Sequence, residues 1–209
     1  MDNIIEFKEW FIKNFNAFEE SLNGENTPEL HRVRKEALKN FNELSFPTVK
    51  DEEWRFTNIS PLLKYNFTLP SEDLKISDEL VNKFLFNEME SNILIFVNGK
   101  FSEDNSKLLN LPKGTIVGSI SDAMKNNPEI IEKHLGKYAS YKNQIFTALS
   151  TAYTKDGAFV YVPEGKIVED PIHIIFITTA SEKKIIIQPR NLFVASKNSQ
   201  VTIIEHFVS

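Results

Sequence analysis

Apolar residues recur at a helical period over residues 4–22. Ile4, Phe7, Phe11, Phe15, Phe18 and Leu22 fall every three or four positions, with Glu6, Lys8, Lys13 and Glu20 elsewhere. Asn23-Gly-Glu-Asn26 breaks the run. Thr27 then reads as an N-cap and Pro28 as a first helical residue. Leu30, Val33, Ala37, Phe41 and Leu44 carry the same period through residues 28–44. The short link between the two runs predicts an antiparallel helical hairpin. Phe46-Pro47 stops the second helix, and residues 51–66 read as irregular, with Ser60-Pro61 starting one turn.

A mixed region follows. Ser77–Asn87 reads as a short helix capped by Ser77 or Asp78. Ile93–Val97, Asn98-Gly99 and Phe101 give a hairpin signal, since Asn-Gly takes positive φ at both turn positions. Thr115–Gly118 reads as a strand. Ser121–Asn126, Pro128–Lys137 and Gln144–Tyr153 read as helices, each beginning after a capping or proline residue.

From Gly157 the period changes. Short β-branched and aromatic runs, Phe159–Val162 within Gly157–Gly165, Ile172–Ile177 after Asp170-Pro171, Pro189–Ala195 and Ser199–His206, are separated by Pro, Gly, Asn and Ser, with no helical stretch between them. The first two are apolar on both faces, as in covered or wound sheets. A β-solenoid accounts for this, because each coil buries one face and is paired along both edges by its neighbours. The run that includes Phe207-Val-Ser209 stops in mid-pattern, so the expectation is a chain cut short of its full length. The predicted fold is α+β: an N-terminal helical hairpin and mixed α/β domain over residues 1–156, then the first coils of a β-helix over residues 157–209.

Composition narrows the function. The chain is 41% hydrophobic and 25% charged, as expected of a soluble globular protein. Its net charge of −5 and lack of a Lys/Arg cluster argue against nucleic acid or an anionic membrane as partner. No run approaches a membrane span and Met1-Asp-Asn-Ile-Ile-Glu is no signal peptide, so a cytoplasmic protein is expected. With no cysteine in 209 residues, a disulfide, a thiolate nucleophile and a Cys-ligated zinc or iron–sulfur cluster are excluded from this segment.

Four histidines are present. His31 and His134 read as solvated helix-surface residues. His173 shares a strand face with Ile175 and Ile177 and reads as a hydrogen-bonded interior residue. His206 follows Glu205, but adjacent strand residues face opposite ways, so a shared metal would need help from another coil. Glu52-Glu53 reads as solvated charge. Trp54 and Phe56 read as a clamp fixing the N-terminal helices to the body, with a partner contact as the alternative. Gly136, Gly157 and Gly165 are isolated and make no phosphate loop, and no nucleophile elbow is present. No catalytic, cofactor-binding or metal residue is assigned, and no metal or cofactor is expected in this segment.

Two blocks carry a family resemblance. One is Phe46-Pro-Thr-Val-Lys-Asp-Glu-Glu-Trp-Arg-Phe-Thr-Asn58. The other is Thr147-Ala-Leu-Ser-Thr-Ala-Tyr-Thr-Lys-Asp-Gly157 with Val162-Pro-Glu-Gly165, Pro171-Ile-His173, Pro189-Arg-Asn-Leu192 and Glu205-His206. Together they resemble the SufD family, a subunit of the SufBCD iron–sulfur cluster assembly complex, with Glu52–Asn58 pointing to SufD over SufB. The resemblance implies the N-terminal portion of a non-catalytic scaffold that pairs with the SufB subunit and the SufC ATPase, the cluster being handled by the complex. Family members are longer, finishing the β-helix and adding a C-terminal helical segment. The rival readings are a β-helix enzyme acting on carbohydrate and a plain interaction module. The enzyme needs clustered carboxylates on successive coils. The strands offer only Glu205, with Glu164, Glu169 and Asp170 at turns. Self-association through an exposed β-helix end at residues 190–208 is also expected.

Overall fold

The computed structural model describes residues 2–22, 28–70, 75–86, 88–179 and 184–209. Helices α1 (Asp2–Glu20) and α2 (Pro28–Glu43) are followed by 3-10 turns at Glu52–Trp54 and Leu62–Lys64. Next come α3 (Asp78–Asn82), β1 (Asn92–Val97), β2 (Lys100–Phe101) and β3 (Ile116–Ser119). Helices α4 (Ile120–Asn126), α5 (Pro128–His134) and α6 (Ile145–Ala152) precede β4 (Ala158–Val162), β5 (Ile172–Ile177), β6 (Leu192–Ala195) and β7 (Ile203–Val208). The chain divides into two units. One holds Met1–Thr68, Leu135–Thr154 and Lys183–Ile186; the other holds Leu69–His134, Lys155–Glu182 and Ile187–Ser209.

The first unit is helical, and its hairpin is antiparallel as the period predicts. The Lys8 ammonium near the start of α1 donates to the carbonyls of Asn42 and Leu44 at the end of α2. At the opposite end, Glu19 bonds the His31 ring at 2.7 Å. Thr27, the expected N-cap, lies outside the described residues. The apolar stripe of α1 buries Phe7, Phe11, Phe15 and Phe18 against Val33, Ala37 and Phe41 of α2 and Ile145, Ala148, Leu149 and Ala152 of α6. Phe11 meets Phe7, Phe41 and Tyr153 edge-on, with centroids 5.2, 5.6 and 5.2 Å away. Such pairs add about 0.5–1.5 kcal/mol each beyond their buried area. The Tyr153 hydroxyl donates to the Phe11 carbonyl, and buried Arg34 donates twice to the Thr154 carbonyl, so the polar atoms entering this core are satisfied.

The second unit contains two sheets, ordered β2-β1-β5-β7 and β3-β4-β6. The Asn98-Gly99 turn joins β1 to β2 with φ of 50° and 83°, as the dipeptide predicts. Gly99 is also required by space, because a Cβ there would stand 2.2 Å from Ile187 Cγ2. The remaining pairings are long-range. β1 runs parallel to β5, β5 parallel to β7, and β4 parallel to β6, while β3 is antiparallel to β4. The sheets face each other across Leu94, Phe96, Val117, Ala158, Val160, Val162, Ile172, Ile174 and Phe176. The other side of the first sheet, through Ile95, Val97, Ile175 and Ile177, is covered by Val81, Phe84 and Leu85. All six residues of β5 are buried, as its two-sided apolar run requires.

Helix α3 is much shorter than the expected span to Asn87, which itself lies outside the described residues. Ser77 does cap it, accepting from the Leu80 amide at 3.3 Å. The chain then leaves the helix because Phe84 and Leu85, on different faces of a continued helix, both pack onto the sheet. Helix α4 starts at Ile120, one residue before the expected Ser121. Ser119 at the end of β3 is its cap, accepting from the Asp122 amide at 3.2 Å.

Candidate functional site

Within the second unit, two stretches far apart in sequence meet at Asp156-Gly157 and Arg190-Asn191. Asp156 is buried at 6% exposure. Its Oδ1 accepts from Ser119 Oγ at 2.7 Å, the Gly157 amide at 2.8 Å and the Ser121 amide at 3.4 Å, and its Oδ2 from the Phe101 amide at 2.9 Å. Burial pushes the carboxyl above the usual carboxylate range, against the pull of these four donors. The Arg190 amide donates to the Asp156 carbonyl at 3.1 Å, and the Ile120 amide to the Gly157 carbonyl at 2.7 Å. Asn191 then accepts from the Ala158 amide at 2.8 Å and donates through Nδ2 to Glu205. Here β2, β3, β4 and the approach to β6 are held by one carboxylate and one amide. A carboxylate whose lone pairs are so fully engaged is a fastener, not a proton-transfer group.

One register row crosses the first sheet entirely in phenylalanine: Phe101, Phe96, Phe176 and Phe207. Successive ring centroids are 5.4, 5.0 and 4.8 Å apart. The row ends on Phe207, which is 64% exposed, and β7 is the last strand of its sheet. On the opposite side of the same strands lie His173 and His206, rings 5.7 Å apart and within 7° of parallel.

His31 is not a free surface residue: it is half-buried and bonded to Glu19. His134 is half-buried, and burial, then Lys133, pulls its proton affinity down. His173 is interior as expected, at 0% exposure, but neither of its ring nitrogens has a hydrogen-bond partner among the described residues. The expected bond is missing because its strand neighbours Ile93 and Ile204 are apolar, and the rings of Phe86 and His206 lie stacked near-parallel to it instead of pointing a nitrogen at it. Glu205 registers with Ile174 and His206 with Ile175, so the two do face opposite ways. Among the described residues no three His, Cys, Asp or Glu side chains converge on a metal-sized site. Glu52 and Glu53 are exposed in a 3-10 turn, and Glu164 and Glu169 are exposed.

Trp54 packs on Phe146 with centroids 5.4 Å apart, yet stays half-buried. Phe56 corrects its half of the clamp: it is 93% exposed, with the Arg55 guanidinium 5.4 Å from its ring. The turn that ends at Trp54 leaves Phe56 projecting two residues beyond it. The residue that sequence reasoning missed is Asp156. An Asp-Gly pair opening a strand is its only local signal, and its partners are spread from Phe101 to Gly157.

Residues 5–174 match the family model described as the SufBD protein N-terminal region. The chain is 30% identical over 174 residues to an iron–sulfur cluster assembly SufBD family protein of Synechocystis sp., covering 83% of this chain and 38% of that protein. It is 29% identical to the iron–sulfur cluster assembly protein SufD of Bacillus subtilis, covering 86% of this chain and 41% of the relative. A chloroplastic protein of Arabidopsis thaliana, ABCI7, is 23% identical, covering 86% of this chain and 38% of that protein. The chain thus spans about two fifths of the length of the first two of these curated relatives. Asp156-Gly157, Arg190-Asn191 and Glu205, which meet at this junction, come from the second of the two blocks that carried the resemblance, and the chain belongs to the SufBD family.

Proposed function

We propose that this chain is the N-terminal portion of a non-catalytic scaffold subunit of an iron–sulfur cluster assembly complex. In this reading the whole protein pairs with a SufB-like paralogue and a SufC-like ATPase in the cytoplasm. The observation that supports the proposal is the junction of Asp156-Gly157 with Arg190-Asn191, because it ties together family-like segments more than thirty residues apart within the second block. Among the described residues no helix is long and apolar enough to cross a membrane.

Residues 157–209 are read as the first coils of a β-helix, following a domain of residues 1–156. The register supports this: Phe159 lies beside Leu192, Ile167 beside Gln200, and Ile172 beside Ile203, all parallel. Three successive segments of one pass thus lie on the same three of the next, the arrangement of stacked coils. With no cysteine in residues 1–209, this segment supplies no thiolate ligand to a cluster. The carbohydrate-enzyme alternative has less support, since the Glu205 carboxylate is engaged by Asn191 and Glu164 and Glu169 are exposed.

The test is affinity purification of the full-length protein from its own cells. The expected result is stoichiometric recovery of an ATPase and a cysteine-bearing paralogue. Recovery of neither, under low-salt lysis, overturns the scaffold reading.

A further inference from the structure

We infer that the Phe84–Phe86 segment is an acid-released cover over the paired imidazoles of His173 and His206. The geometry is unusual for histidine. Both nitrogens of His173 and Nδ1 of His206 are buried with no hydrogen-bond partner among the described residues. Phe86 stacks on His173 at 4.8 Å and 20°, and lies 6.2 Å from His206 at 12°. Phe84 meets His206 edge-on at 6.1 Å. Phe86 is itself 50% exposed, so a single ring separates the pair from solvent on that side. Local bonds that hold the segment are short in range: Phe84 N–H to the Val81 carbonyl and Met89 N–H to the Phe86 carbonyl.

A buried imidazole without partners is tolerated only while neutral, because the protonated ring would be an uncompensated charge in an apolar site. Among the described residues the surroundings supply no counter-charge. β1 contains no titratable side chain, and β5 contains only His173. On β7, Glu205 faces the other way and is engaged by Asn191, leaving His206 on this side. Around the cover, Asp78, Glu79, Lys83, Glu88 and Glu90 are all exposed. None of these hydrogen-bonds to His173. Burial, and secondarily the neighbouring His206, accordingly pull the proton affinity of His173 below the ordinary histidine value of 6.5.

The direction in pH follows. With a folded-state value below the open-state value, the closed state is fully stable above pH 6.5 and loses ground as pH falls through the folded value. Opening lets the ring take up one proton. Between those two limits the open population rises by up to about tenfold per pH unit. Opening removes Phe84 and Phe86 from the sheet and exposes the face built from Ile95, Val97, Ile175 and Ile177.

The experiment is residue-resolved amide hydrogen exchange of this chain from pH 7.5 to pH 5, corrected for intrinsic exchange. A local readout is needed because burial also lowers the proton affinity of His134, elsewhere in the molecule. Amides of residues 84–86, 173–177 and 203–208 are expected to lose protection below pH 6.5 in the wild type, and to lose that pH dependence in His173→Phe. An NMR titration of the wild-type imidazoles guards against a variant that fails to fold. A His173 midpoint below 6.5 supports the cover, whereas a midpoint at or above 6.5 overturns it. Protection that is flat with pH in the wild type, or equally steep in His173→Phe, also overturns it. So does a stoichiometric metal in the purified protein whose removal changes protection at these residues, since the imidazoles would then be ligands.

Discussion

The backbone carbonyl oxygen of Arg190 lies 2.3 Å from where a Cβ on Gly157 would stand, with the Arg190 carbonyl carbon at 2.6 Å and its nitrogen at 2.8 Å. The obstructing atoms are backbone, and the Arg190 amide is itself bonded to the Asp156 carbonyl, so neither side can retreat. Gly157→Ala should therefore cost about 3 kcal/mol, at the upper end of overpacking penalties. Urea unfolding followed by circular dichroism measures it, and a loss under 1 kcal/mol would contradict the contact.

Asp156→Asn tests the fastener at the same place. The amide keeps one oxygen for Ser119, Ser121 and Gly157, but turns an NH2 group toward the Phe101 N–H that Oδ2 now accepts. A buried donor left facing a donor costs about 1–3 kcal/mol. The amide of Phe101 should also lose hydrogen-exchange protection in the variant. If Phe101 stays protected and melting is unchanged, the carboxylate is not the tie.

Much of this architecture is visible in the sequence, and the divide between visible and hidden is one of range. The spacing of Phe7, Phe11, Phe15 and Phe18 reports a local helix, and Asn98-Gly99 reports a local turn, because three or four residues determine each outcome. Helix α3 ends early because Phe84 and Leu85 gain more by packing on β1 and β5 than by continuing a helix. The parallel pairing of β1 with β5 is equally hidden, since Asn92 meets Ile172 across most of the second unit's sequence. Asp156 and His173 belong to this second group. Strand alternation correctly gives the face of His173, but the absence of a bonding partner depends on Phe86, which arrives from another segment.

Trp54 and Phe56 separate into two roles that substitution can distinguish. Trp54→Ala removes a half-buried ring from Phe146 and should cost about 1–2 kcal/mol, below the 3–5 kcal/mol of fully buried aromatics. Phe56→Ala should leave melting unchanged within about 0.5 kcal/mol, as for other exposed positions. Thermal melting of both variants checks the pair. If Phe56→Ala also reduces recovery of partners from cells, its exposed ring is a contact surface; equal destabilisation by both would restore the clamp for both.

The free side of β7 should promote association of residues 1–209 by strand pairing, aided by the exposed ring of Phe207. Light scattering over rising protein concentration should show dimers or larger species. Phe207→Lys places a charge on that edge and should shift the distribution toward monomer, at a cost of about 0.5–1.5 kcal/mol for the lost stacking on Phe176. A wild type that stays monomeric at every concentration contradicts the expectation.

The phenylalanine row has a consequence for how the strands of the first sheet find their alignment during folding. A slip of β7 by one residue against β5 would bring His206 or Val208 beside Phe176 and turn every side chain to the wrong face. A slip by two keeps the faces right but puts Glu205 or Ser209 beside Phe176, losing the stacked ring. Only one offset stacks ring on ring, so the row acts as a proofreading mark. Each strand laid down presents to the next a template that discriminates the correct alignment from its two nearest errors.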